Sequence, residues 1–499
     1  MLTKCISLSV LLLFCAAACE AKSKDAWNEH DDPLAKGEKP CVTWDKLNKT
    51  NPGLKEIGRL AVREAKEIKS SKWSVGCETM DRDFSEWDEY KRFLGPLGAK
   101  HGRLFSGWAK TEREKGKYDF AWLDKHVREM AAMGVKPWIC LSYGNPVWGS
   151  DFNLGMKVRQ VTDNPEAFEA WLRYVAACVG RYKDVVDEWE IWNEPFRQGP
   201  EYAELFYRTA KVVREVQPEA KCMCTAVTFP DDYKCVLDKL KAENAYDLAS
   251  YFVYHPYVPN PDAAFKKRTK PLLKLVKSYS DKFKILQGEA GCPTQLEWAQ
   301  AMKQIEWSEY AQAKWDLRRM IDDAARSIPS SVFTIIDLQY WNTLDSFGLI
   351  RANSLKKVIY RRPSYYAMQN LFGYVDDDVT PAGLNGDTEY ELVRRANPLD
   401  TERHKLKSVQ FKRKGLPVRF YWFSDRMPTA NLAFDYVTVR GIPGKLKDIA
   451  WVEMITGRVF EISDENVLHD GEKTDLVNLP MWDSPILIAE RKSIPLRRK

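Results

Sequence analysis

Glu194 stands in Trp192-Asn193-Glu194-Pro195, at the end of a run in which acidic or polar residues alternate with apolar and aromatic ones over residues 185–192. Alternation with a period of two reads as a strand. Pro195 has no amide hydrogen, so it ends the ladder and leaves Glu194 at the strand's C-terminal lip. A carboxylate there, beside an amide and among tryptophans, suits proton transfer to a sugar oxygen. Ser-His-Asp, phosphate-loop and zinc chemistry each need other residues. A second carboxylate stands 95 positions on: Glu289 follows the strand-like run Lys284-Ile285-Leu286-Gln287-Gly288 and precedes Ala290-Gly291. Two carboxyls about 5–5.5 Å apart permit double displacement at a sugar carbon, one ionised as nucleophile and the other holding a proton.

Such a pair needs a scaffold that brings two strand ends together. From residue 73 the chain repeats strand-then-helix units. The strand candidates are 73–77, 103–106, 136–142, 185–192, 221–227, 248–257, 284–288 and 332–340. Segments of helical period lie between or after them, at 84–97, 120–133, 165–182, 202–216, 232–240, 261–279, 307–328 and 363–372. Asn164 is a good N-cap for the third. Eight such units predict an α/β fold with a closed (β/α)8 TIM barrel, whose reactive residues gather at the C-terminal ends of its strands. The fourth and seventh strands then face each other across the mouth. A doubly wound open sheet is the alternative, but no Gly-rich phosphate turn follows the first strand.

The expected organisation is a signal at 1–21, a lead-in and helix at 22–70, the barrel at 71–376, and a connecting loop with a β-sandwich at 377–499. Within the lead-in, Leu54, Ile57, Leu60, Ala61 and Ala65 have helical spacing. Residues 376–401 carry Pro, Gly and Asn and read as including a surface loop. Beyond them six short strand patterns, at 409–412, 417–423, 432–440, 449–454, 458–462 and 485–490, predict an antiparallel sandwich.

Trp192-Asn193-Glu194-Pro195 on the fourth strand, with Glu289 on the seventh, resembles clan A of the glycoside hydrolases over residues 73–372. The added sandwich is similar to that of family 39 β-xylosidases and their relatives. The resemblance implies a retaining double displacement with Glu194 as acid/base and Glu289 as nucleophile. It further implies that Asn193 bonds the sugar 2-hydroxyl and Arg103 holds the nucleophile ionised, while His255 or Tyr257 on the sixth strand and Trp341 after the eighth shape the sugar subsite. Gly288-Glu289-Ala290-Gly291 departs from the Thr-Glu-Tyr/Trp usage of family 39 and is closer to family 5, so the clan is the firmer level. Trp108, Tyr143, Asn145 and Trp148 follow the second and third strands, where they either line outer subsites or cover core. The competing reading is a barrel that binds carbohydrate without turning it over, but a binding module needs no carboxylate pair. A surface scaffold would need an exposed apolar sandwich face, and no periodicity indicates one.

The composition fits an oligosaccharide or polysaccharide as partner. Basic residues (76) nearly balance acidic ones (70), and no basic run points to nucleic acid. Eighteen tryptophans are many, enough for core packing and for stacking on pyranose faces. Six histidines are scattered, with no His-Glu-x-x-His helix and no three-ligand cluster, so neither metal nor cofactor is expected. Residues 1–21 read as a secretory signal: Lys4, an apolar stretch at 6–14 too short to span a bilayer, then Ala16-Ala17-Ala18. Cys19 after three alanines resembles a lipoprotein acceptor with alanine where leucine is usual. An exported protein is expected, with no membrane span. Cys77, Cys140, Cys222 and Cys224 lie in apolar strand-like runs and read as buried thiols, while any disulfide pairing stays open.

Overall fold

The computed structural model describes residues 38–39, 41–151, 157–225 and 229–497; the expected signal, with Cys19, lies outside the described residues. Eight strands, Trp73–Gly76, His101–Phe105, Lys136–Leu141, Glu188–Ile191, Lys221–Thr225, Tyr251–Tyr254, Lys284–Ala290 and Ser330–Val332, close into a parallel barrel. The first closes on the last through Trp73↔Ser330 and Val75↔Val332. Strands buried on both faces carry near-continuous apolar runs, and this is why their patterns stood out in the sequence. Towards the N-terminal end the interior is filled by Trp138, Met223, Val253 and Leu286. The Trp138 indole donates to Ser74 Oγ at 2.9 Å.

Most of the expected helices are present. Pro165–Tyr182 is capped by Asn164, whose side chain accepts from the amides of Glu166 and Ala167. Ala121–Ala132, Gly199–Val216, Asp231–Ala242, Glu309–Ala325 and Pro363–Tyr374 complete the long members. Two differ from the sequence expectation. The helix expected at 84–97 breaks into Trp87–Tyr90, Lys91–Phe93 and Leu94–Leu97, with Pro96 inside the last piece. The one expected at 261–279 begins as a 3-10 turn at Pro261–Ala263, widens to a π-turn at Phe265–Thr269 and only then becomes the α-helix Lys270–Lys277. Pro271 lacks an amide hydrogen, which suits a local departure from α-pairing. The eighth strand ends at Val332, and the apolar residues after it continue into a hairpin of Leu338–Gln339 with Leu344–Asp345.

The lead-in corrects the sequence reading. The helix there is Val42–Asn48, and the expected helix at 54–70 is instead the strand Lys55–Leu60 followed by turns. This strand enters an eight-stranded antiparallel sheet between Arg458–Glu461 and Leu496–Arg497, so a segment ahead of the barrel completes the sandwich behind it. Leu60 and Ala65 are buried as their spacing suggested, but on a strand and in a turn. A spacing of three to four residues fits either element when the partners are distant in sequence.

The segment 376–401 does include a surface loop, at 395–401, but two strands precede it. Val379–Thr388 pairs with Leu406–Arg413, and Glu391–Arg394 joins a four-stranded sheet with Asp435–Pro443, Lys473–Met481 and Val467–Asp470. Its turn-like residues sit where the register shifts, at Pro381/Gly383 and Leu384/Gly386. All six expected sandwich strands occur. Among the described residues all eight cysteines are free thiols, seven of them buried.

Candidate active site

Glu190, Trp192 and Glu194 leave the fourth strand in quick succession, and the backbone separates their roles. The strand ends at Ile191, and Trp192 (φ 65°) and Glu194 (φ 49°) then adopt left-handed conformations. Such backbone costs non-glycine residues about 1–2 kcal/mol each, so the surrounding packing must hold it. Trp192 keeps its amide on the Leu141 carbonyl at 2.9 Å and buries its ring between Tyr143 and Trp171. The turn thereby swings Glu194 into the mouth, with its side chain 41% exposed.

Glu289 is set by a different device. The register of the seventh strand against the eighth shifts between Gln287 and Ala290. The bulge re-aims the Glu289 side chain into the mouth, a common use of bulges beside active sites. A Cβ at Gly288 would overlap Val253 Cγ1, so the strand packs too closely on its neighbour there for a side chain. The sequence placed Glu289 just beyond its strand; it lies within it.

Arg103, wholly buried, organises the floor of the site. Its Nε donates to Glu190 Oε2 at 2.8 Å, and Nη2 lies 2.8 Å from that oxygen and 2.8 Å from Asn193 Oδ1. Nη1 donates to Glu289 Oε2 at 2.6 Å and to Glu78 Oε1 at 3.1 Å. Four guanidinium N–H groups therefore have hydrogen-bond acceptors, and Nη2 also lies in ion-pair contact with Glu190. The arginine, which only donates, requires the amide oxygen of Asn193 on its side, and the amide nitrogen then donates to the Tyr143 hydroxyl at 2.8 Å.

The two glutamates sit in contrasting surroundings. Glu289 is only 12% exposed. It accepts from Arg103 and, through Oε1, from the Tyr257 hydroxyl at 2.8 Å. Burial alone would raise its pKa, but the charges of His255 and Arg103 and the Tyr257 hydroxyl outweigh it and hold the carboxyl below its ordinary value. Glu194 meets His255 Nδ1 at 2.7 Å through Oε1. For His255, burial acts to lower the pKa, yet the carboxylates of Glu289 and Glu194 prevail and raise it. The Tyr257 hydroxyl is pushed far up by burial and by Glu289, so it stays a donor.

One ligand-type atom each from Glu194, His255 and Glu289 lies within 4.8 Å of the others. Three possible metal ligands thus converge, although their scattered sequence positions gave no sign of it. Both oxygens of Glu289 already accept from Arg103 and Tyr257, however, and a guanidinium one hydrogen bond away repels a second cation. The arrangement is better suited to a carboxylate pair. One oxygen of each carboxyl lies within 4.8 Å of the other.

Six of the seven residues singled out in the sequence meet here: Arg103, Asn193, Glu194, His255, Tyr257 and Glu289. Trp341 reaches them through Phe84, which shares an apolar cluster with Tyr257. It lies in the hairpin after the eighth strand, 65% exposed, with its ring edge-on to Phe84 at 5.0 Å. Trp108, Asn145 and Trp148 are buried around Glu112: both indoles donate to its carboxylate, and the Asn145 amide donates to its carbonyl. They cover core rather than line subsites. Glu78, Glu190 and the Tyr143–Asn193 bond were not foreseen. Glu190 carried a signal, since a carboxylate inside a barrel strand needs a cation, and Arg103 was the arginine already expected on a barrel strand.

No protein-family model matches the sequence. Among solved structures, a family 39 glycoside hydrolase from the gut symbiont Bacteroides cellulosilyticus is similar over 84% of this chain and 80% of its own, at a TM-score of 0.60 and 18% identity. A monomeric β-xylosidase from Caulobacter crescentus matches over 86% of this chain and 97% of its own (TM-score 0.52, 13% identity). A family 5 glycoside hydrolase from Bacteroides vulgatus matches over 84% and 89% (TM-score 0.52, 13% identity). The shared feature is the fold, a (β/α)8 barrel with an appended antiparallel β-sandwich.

Proposed function

We propose that this chain is an exported glycoside hydrolase that cleaves β-linked, or α-L-arabinofuranosidic, sugars of oligosaccharides or polysaccharides with retention of configuration. The observation that carries the proposal is the meeting of Glu194 and Glu289 oxygens within 4.8 Å in opposite environments. Glu289, buried and held ionised, attacks the anomeric carbon while Glu194, open to the mouth, gives its proton to the departing oxygen. The C1–O bond to the leaving group breaks as the bond from C1 to the Glu289 carboxylate forms. Glu194, now a base, takes a proton from water, whose oxygen displaces the carboxylate of Glu289 from C1. Arg103 and Tyr257 stabilise Glu289 as it regains its charge, and Asn193 meets the sugar 2-hydroxyl. The similar fold of a β-xylosidase makes β-xylosides the first substrates to try. Residues 1–21 support export, and among the described residues no helix is long and apolar enough to cross a membrane.

The test is a screen of the purified protein against aryl β-D-xyloside, β-D-glucoside, β-D-galactoside, β-D-glucuronide and α-L-arabinofuranoside, with Glu194→Ala and Glu289→Ala beside it. Turnover of one substrate, abolished in Glu289→Ala and restored to Glu194→Ala by azide, is expected. Activity that survives Glu289→Ala removes that residue from its role. Binding of xylo-oligosaccharides without turnover of any substrate favours the carbohydrate-binding reading instead. Sequencing the mature N-terminus after fractionating the producing cells checks export.

A further inference from the structure

Arg103 meets three carboxyl groups, not two, and the third lies on no path to the substrate. Glu78 follows the first barrel strand by two residues, its side chain 1% exposed. Its Oε1 accepts from Arg103 Nη1, the same nitrogen that donates to the nucleophile Glu289. Its Oε2 lies 3.5 Å from Thr334 Oγ1, whose own hydrogen goes to the Gly76 carbonyl at 2.8 Å. The carboxyl folds back over Gly76, where any Cβ would overlap Oε2, so the backbone is shaped to seat it.

The charges at this point do not balance if all three groups are ionised. Glu78, Glu190 and Glu289 would set three negative charges around one guanidinium in a site nearly closed to water, where an uncompensated carboxylate costs several kcal/mol. Two of the three have further partners. Glu190 receives a bifurcated contact from Arg103 and the Thr225 hydroxyl; Glu289 receives Arg103, the Tyr257 hydroxyl and the field of His255. Glu78 has the longest of the arginine contacts and, besides its own backbone amide, only the distant Thr334 hydroxyl, and it is the group for which ionisation is least supported.

We propose that Glu78 is a positioning residue that occupies Arg103 as a neutral carboxylic acid, leaving the guanidinium's charge to Glu289. The groups facing it are consistent. Burial drives its pKa up to about 7, with Arg103 lowering it and Glu289 raising it further, while Cys77 on its own segment and Tyr90 on the following helix supply no positive charge. The inference rests on Glu289 being the nucleophile and gives Glu78 a step at which it acts. When the ester between C1 and Glu289 breaks, Glu289 regains a negative charge. An ionised Glu78 on the same Nη1 opposes that return, and a neutral one does not. The carboxyl proton stays on Glu78 throughout the step; Glu194 takes the proton from water.

The experiment compares wild type with Glu78→Gln, the neutral isostere, on a dinitrophenyl glycoside whose breakdown step limits turnover. Wild-type kcat is expected to fall about tenfold between pH 6 and pH 8.5, as one carboxylate ionising beside another costs on the order of 1.4 kcal/mol. Glu78→Gln is expected to match wild type at pH 6 and to stay flat above it. Difference infrared spectra of wild type against Glu78→Gln are expected to show a protonated-acid carbonyl stretch at pH 6 that disappears at pH 9. The absence of that band overturns the proposal, whatever the catalytic data. So does a folded Glu78→Gln that loses a hundredfold at pH 6, which would mean that the carboxylate form is the working one. The infrared arm needs no turnover, so the failure of glycosidase activity and the failure of this inference can be told apart.

Discussion

At the scale of single residues, the decisive feature is that a planar fork with five donors sits where four acceptors converge. Lysine has three donors and no fixed plane, so Arg103→Lys leaves at least one of the four buried acceptors without its cationic donor. Loss of one member of a buried charge network typically costs about 3–5 kcal/mol, readable as a lower urea midpoint with an unchanged slope. The variant also has a signature in function. Arg103 is one of the groups that hold Glu289 below its ordinary pKa, so weakening it raises that pKa and moves the acid limb of kcat/KM to higher pH. An acid limb that does not move would separate Arg103 from the ionisation of Glu289. Glu194 and Glu289 were legible from residue type and from their places at strand ends. Glu78 was not, because Cys77-Glu78-Thr79 carries no motif, and the arginine that needs it lies 25 positions away.

At the scale of elements, parallel strands were read well because burial on both faces leaves only apolar runs, whereas the ends of elements were set by partners that the sequence does not mark. Glu188, at the start of the fourth strand, shows what register achieves. The strand pairing brings it beside His101 (3.5 Å) and Lys221 (3.0 Å), at the end of the barrel opposite Glu194 and Glu289. Burial acts to raise its pKa, but His101 and Lys221 together lower it to about 2. A carboxyl depressed in the folded state contributes stability that is complete above its unfolded value of 4.5 and lost as pH falls from there towards 2. The contribution at neutral pH is on the order of 3 kcal/mol. Glu188→Gln should therefore be less stable than wild type at pH 7 and approach it near pH 2–3. A constant difference between the two denaturation midpoints across that window would show that hydrogen bonding, not charge, is what Glu188 supplies.

For the whole molecule, the question is whether barrel and sandwich unfold separately, and two features argue that they do not. The first is topological: Lys55–Leu60 lies ahead of the barrel in sequence yet pairs on both sides with strands from behind it. The periodicity of residues 54–65 could not reveal this, since nothing local distinguishes a strand whose partners lie about 400 residues away from a short amphipathic helix. The second is the helix Glu309–Ala325, polar in composition yet buried at every position but one, because the sandwich covers its outer face. Lys314 on that helix reaches Asp483 and the carbonyls of Thr429 and Asn431, and Arg318 reaches the carbonyls of Ser424 and Arg426. Lys407 on the sandwich returns the contact to Asp262 and Asp322. Buried ionic contacts of this kind fix one docking geometry more surely than they add stability, because desolvation offsets much of the attraction. Lys314→Met is therefore expected to cost about 3–5 kcal/mol, since it strands the Asp483 charge and two carbonyls. The double variant Lys314→Met/Asp483→Leu should recover most of that loss. Calorimetry should show one transition in wild type and in the double variant. A barrel transition that stays in place while a second, sandwich transition separates below it would show that the interface holds the domains together without coupling their stability.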